Sequence, residues 1–138
     1  MSTSEQNRIL LVDDNSILRE TLAHWLRASG HEVLTASTGE RAFLILREWN
    51  RPVGWLYARA ELPGLVDGWI LADEYHDTHP GRAVVLSASD VRPSTGSYII
   101  LKQPTPTAIF ESIRQAITAR ATAVALARAG SDDMRRAA

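Results

Sequence analysis

Short runs of consecutive apolar residues alternate along this chain with longer stretches in which apolar positions recur every three or four residues. The first pattern marks strands buried on both faces, the second amphipathic helices. A strand is expected over 8–12 and a helix over 15–29, with Leu18, Leu22 and Trp25 near one face and Gly30 as its stop. Residues 31–36 form the second strand. Ser37 and Glu40 then stand at capping-box spacing ahead of Ala42, Ile45, Leu46 and Trp49. A third strand over 52–58 and a third helix over 67–78, with Asp67 as N-cap, lead to the break His79-Pro80-Gly81. The fourth strand, 83–86, is apolar throughout and runs into Ser87. Such alternation predicts an α/β fold around a parallel sheet covered on both faces.

The rhythm falters before the fifth strand, 98–101. Residues 88–97 include Pro93, Ser94, Thr95 and Gly96, whereas a parallel crossover takes about a dozen residues or more. The fourth helix of the alternation is therefore expected to be short or absent, leaving a loop. A last helix begins near Thr105, with Pro106 suited to its first position and Ile109, Ile113 and Ile117 as its buried stripe. Alanine-rich sequence carries it through residue 129, and 130–138 reads as a polar tail. The expected organisation is a disordered 1–6, one domain over 7–120, and a helical extension with its tail over 121–138.

Composition narrows the function more than the fold. A net charge of −1 gives no electrostatic reason for binding nucleic acid or an anionic membrane. The absence of cysteine excludes disulfides and thiolate chemistry. The polar N-terminus lacks a signal-peptide core and no apolar run approaches membrane-spanning length, so a cytoplasmic protein is expected. The four histidines lack a coherent ligand spacing.

Candidate chemistry collects at the strand ends: Asp13 and Asp14 after the first, Arg59 after the third, Ser87 after the fourth, and Lys102 after the fifth. Three pieces carry a family signature: Ile-Leu-Leu-Val-Asp-Asp-Asn over 9–15, Gly-His-Glu-Val-Leu-Thr-Ala over 30–36 with Gly39-Glu40, and Leu-Pro-Gly-Leu-Val-Asp-Gly-Trp over 62–69. Together with Lys102 and Pro104 they resemble, over roughly residues 7–120, the CheY-like response-regulator receiver domain of two-component phosphorelay signalling. The resemblance implies a flavodoxin-like, doubly wound sheet of five parallel strands in order 2-1-3-4-5, with its site at the carboxyl ends of the strands. It also implies a magnesium ion held by Asp13 and Asp14, a phosphoryl-contacting hydroxyl at Ser87 and an invariant lysine at Lys102.

The acceptor position breaks the pattern. The family's phosphoryl-accepting aspartate stands four residues before the proline, and four before Pro63 is Arg59. A guanidinium has five donors and no lone pair for attack. At about 5 Å and an effective dielectric of about 20 it would repel a divalent ion by roughly 7 kcal/mol. Arg59 is therefore expected to replace the metal as counterion of a vestigial Asp13/Asp14 pair, with no cofactor and poor magnesium binding. Gln103 separates Lys102 from Pro104, and the family's switch aromatic falls on Ile99 while Tyr98 faces the other way.

The reading is a degenerate, non-enzymatic pseudo-receiver acting through contacts with a signalling protein such as a histidine kinase or another regulator, or as a homodimer. Two alternatives stay open: an active phosphorelay receiver with a displaced acceptor, and a small-ligand module at the strand-end crevice.

Overall fold

The computed structural model describes residues 8–48, 50–90 and 97–137, with side chains through residue 130. In chain order the elements are β1 (Arg8–Val12), α1 (Ser16–Ala28), β2 (Glu32–Ala36), α2 (Gly39–Leu46), β3 (Trp55–Arg59), α3 (Gly68–Thr78), β4 (Val84–Ala88), β5 (Tyr98–Lys102) and α4 (Pro106–Ala137). The strands form one five-stranded parallel sheet in the order β2-β1-β3-β4-β5. This is the doubly wound order the resemblance implies.

Strand alternation sorts the apolar residues into two cores. Ile9, Leu11, Trp55, Tyr57 and Val85 face α1 and α4, where they meet Leu22, Leu26, Ile109 and Ile113. Leu10, Val12, Leu56, Ala58, Val84 and Leu86 face α2 and α3, against Ala42, Leu71 and Tyr75. Most of these side chains are fully buried, and each large aliphatic one contributes about 1.5–3 kcal/mol relative to exposure. The edge strand β5 is the weakly covered member, with Ile99, Ile100 and Leu101 only half-buried.

The helix starts follow their capping residues. Asn15, Thr38 and Asp67 side chains accept from the backbone N–H groups of Leu18, Arg41 and Ile70, and Thr105 Oγ1 accepts from Ala108 N–H. The capping box expected of Ser37 and Glu40 is not formed. Thr38 takes the N-cap, and Glu40 instead accepts from Leu65 N–H at 3.2 Å, tying α2 to the loop after β3.

One further expectation changes. Helix α4 does not end at Gly130 but continues to Ala137, so the polar tail is helical. A helix stops at glycine when the glycine turns left-handed, as Gly30 does after α1 with φ of 94°; Gly130 does not. Its helical cost of about 1 kcal/mol is offset by the good helix formers around it. Residues 121–130 are exposed except for half-buried Val124. The segment expected as a loop, 88–97, falls largely on 91–96, which lie outside the described residues, as do residues 1–6 and Trp49.

Candidate functional site

The carboxyl ends of β1, β3 and β4 bring Asp13, Arg59 and Ser87 to one place, and alternation supplies the reason. Asp13 follows Leu11 by two, Arg59 follows Tyr57 by two, and Ser87 follows Val85 by two, so all three project on the α1/α4 side. With Glu61, Ser89 and Gln103 they line a cleft of ≈ 160 Å³.

Asp13 is buried, at 1% exposure. Its Oδ1 accepts from Asn15 N–H and its Oδ2 from the Tyr57 hydroxyl, both at 2.9 Å. The same hydroxyl lies 2.9 Å from Ser87 Oγ. Because the single phenolic proton goes to the carboxylate, Ser87 donates to Tyr57, and the three groups form a continuous buried chain. Burial raises the pKa of Asp13; the donors Asn15 and Tyr57 and the charge of Arg59 work against that shift. Burial, reinforced by the Asp13 charge, also raises that of Tyr57, which stays a phenol. Tyr57 is the site residue that sequence reasoning missed. The available signal was its position two before Arg59, which puts both on one face.

Asp14 lies outside this buried chain and receives the Arg59 guanidinium at 3.0 Å. The pairing expected from charge balance is formed, but in the open: the side chains are 42% and 37% exposed. Screening limits such a pair to under about 1 kcal/mol, so it adds little to the stability of the fold. Glu61 lies beyond the end of β3, and its carboxylate takes both the N–H and the hydroxyl of Ser89. Those two bonds lower its pKa.

Lys102 is not among the residues lining the cleft. By alternation it shares a face with Tyr98, which packs on α3 beside Trp69 and donates to Asp73 Oδ1 at 3.1 Å. Among the described residues the Lys102 side chain makes no hydrogen bond or ion pair, and its neighbour Gln103 lines the cleft instead. A shift of one residue transfers the position from lysine to glutamine. Gln103 sits at φ 43°, a left-handed conformation uncommon for a side-chain-bearing residue, and its N–H is held by Ala88 C=O at 3.0 Å.

No protein-family model and no curated protein sequence matches the chain. Solved structures do. The receiver domain of the hybrid histidine kinase CckA is 30% identical, with a TM-score of 0.65, over 80% of this chain and 98% of that one. The chain belongs to the response-regulator receiver family. Receivers from Sinorhizobium medicae WSM419 and Methanospirillum hungatei JF-1, at 24% and 22% identity, share the fold with TM-scores of 0.69 and 0.66. They cover 82% and 84% of this receiver, and it covers 95% and 97% of them.

The residues of this receiver do not fit the magnesium ion that the family implies. Both oxygens of Asp13 are engaged by protein donors, Asp14 holds a guanidinium, and the third strand end supplies that cation rather than a third carboxylate. A hard divalent ion needs oxygen ligands and negative charge, and here the negative charge already has its counterion. No helix among the described residues is long and apolar enough to cross a membrane.

Proposed function

We propose that this receiver is a pseudo-receiver: it signals through protein contacts and takes no phosphoryl group at the family's acceptor position. The observation that carries this reading is Arg59 at the end of β3, ion-paired to Asp14 at 3.0 Å. Acyl-phosphate formation requires a carboxylate nucleophile and a cation to neutralise the incoming group. The guanidinium has no nucleophilic lone pair, and it occupies one carboxylate that the metal would need. The obvious displaced acceptor, Glu61, is held by two donors of Ser89. The chain therefore acts as a binding module, without enzymatic turnover or a resident metal, on a signalling protein such as a histidine kinase or another regulator.

A second copy is a rival partner, since it would compete for the same outrunning helix. Helix α4 runs to Ala137, well past the last core residues Ile113 and Ala116, and half-covered β5 lies at the sheet edge. A helix that outruns its own domain gains by packing on its equivalent.

Incubation with acetyl phosphate and, separately, beryllofluoride, each with magnesium, tests the central reading by intact-mass spectrometry and NMR. The expected result is an unmodified mass and an unchanged spectrum. A stoichiometric phosphoryl adduct mapped to any carboxylate would establish an active receiver with a displaced acceptor.

A further inference from the structure

The opposite pole of the sheet carries a groove that the strand-end site does not explain. Trp55 opens β3 and Arg82 precedes β4, so this pole lies at the amino ends of the strands. There the outrunning part of α4 forms one wall of a half-open groove of ≈ 350 Å³. Its apolar surface includes Trp55, Ile117 and Val124, and its charged surface is Arg82, Arg120 and Arg128. Among the described residues no carboxylate lines it.

Among the described residues no carboxylate pairs with these three guanidiniums. Arg82 donates to Gly54 C=O at 2.8 Å and lies 5.4 Å from the centre of the Trp55 ring, so it is fixed in place without an acidic partner. Arg120 and Arg128 make no ion pair among the described residues, whereas Arg8, Arg19, Arg47, Arg51 and Arg59 each do. His79 supports the same picture: burial lowers its pKa, and the charges of Arg82 and Arg120 push it further down. A chain with net charge −1 thus concentrates on one groove positive charge that no described carboxylate pairs.

We infer that this groove is the docking site for an acidic, amphipathic peptide segment of a partner protein, with carboxylates on Arg82, Arg120 and Arg128 and an apolar side chain over Ile117 and Val124. Charge complementarity selects an anionic occupant, and the apolar floor selects one with a hydrophobic face. The form of the groove favours a peptide. It runs along α4 from Ile117 to Arg128, roughly 16 Å of helix at 1.5 Å per residue, and its half-open side leaves an extended ligand room to continue. The inference rests on the reading that the chain works by protein contacts, and it assigns that contact a surface away from the degenerate phosphoryl site.

The test uses the full chain and a synthetic twelve-residue peptide of alternating glutamate and leucine, with a glutamine-for-glutamate peptide as control, followed by amide NMR. Binding should shift the resonances of Gly54, Trp55, Gly81, Arg82 and α4 between Ile117 and Arg128. It should weaken with salt and fall about tenfold in affinity in Arg120→Glu and in Arg128→Glu. Arg41→Glu, on α2, should bind as the parent does. Circular dichroism melts verify that each variant is folded, and the two variants report independently. Equal affinity for the glutamine peptide, shifts confined to other surfaces, or no shift at millimolar peptide overturns the proposal. So does the appearance of the same shifts when the protein alone is concentrated, which would make a second copy the occupant. The phosphoryl-donor experiment reads the other pole of the sheet, so either result can fail without the other.

Discussion

The Tyr57 hydroxyl donates to Asp13 Oδ2 at 2.9 Å inside the protein, and so satisfies a carboxylate that is 1% exposed. A buried charge without such a donor is costly. The contact therefore links the third strand's interior face to the only acidic residue the core accepts among the described residues.

Tyr57→Phe keeps the ring and removes the donor. Asp13 retains Asn15 N–H but loses its second partner, and Ser87 loses an acceptor. The expected loss of stability is about 1–3 kcal/mol, measured by urea unfolding. The pKa of Asp13 should rise further, since the tyrosine bond is among the contacts that lower it; side-chain NMR titration reads that shift. Unchanged stability together with an unchanged titration would mean that Tyr57 does not support the carboxylate.

Arg59→Ala should change stability by less than about 1 kcal/mol, because the pair it breaks is exposed and screened. Arg59→Asp should change chemistry instead: magnesium affinity rises when a carboxylate replaces the cation at the end of β3. Isothermal titration of magnesium into parent and variant compares them. Equal affinity in the two proteins would refute charge replacement at this position.

Stability should fall on acidification through the histidine range. The pKa of His79 is held below 6.5 in the folded protein, first by burial and then by Arg82. The unfolded chain therefore binds the proton more readily, and the stability contributed above pH 6.5 is lost as pH drops below it. Asp13 has the opposite sign: its raised pKa makes the folded state the better proton acceptor, so its contribution to stability rises as pH falls through that shifted value toward 3.8. Melting temperatures from pH 8 to pH 5 should decline in the parent and decline less in His79→Asn. Identical slopes would exclude His79 as the source.

Truncation after Arg120 removes 121–138, of which 121–130 are exposed except for half-buried Val124. The domain should keep its fold, with a melting temperature within a few degrees of the parent, while any dimer dissociates. Light scattering at high micromolar concentration makes the comparison. A monomeric parent, or a truncated protein that remains dimeric, would remove α4 from the interface.

What residues near one another in the chain settle was readable from the sequence. Apolar runs such as Leu10-Leu11-Val12 and Val84-Val85-Leu86 set the strands, the polar residues at their ends marked the site, and Arg59 in the acceptor position predicted an ion pair with the acidic residues. These features depend on local periodicity and on one residue type, which a linear sequence carries in full. Tertiary structure decided how those parts face one another. Register put the Tyr57 hydroxyl between Asp13 and Ser87, residues 44 and 30 positions away from it. One residue of alternation after β5 exchanged Lys102 for Gln103 at the cleft. The course of α4 past Gly130, and the approach of its arginines to Trp55, depended on a backbone conformation and a packing direction that no local pattern encodes.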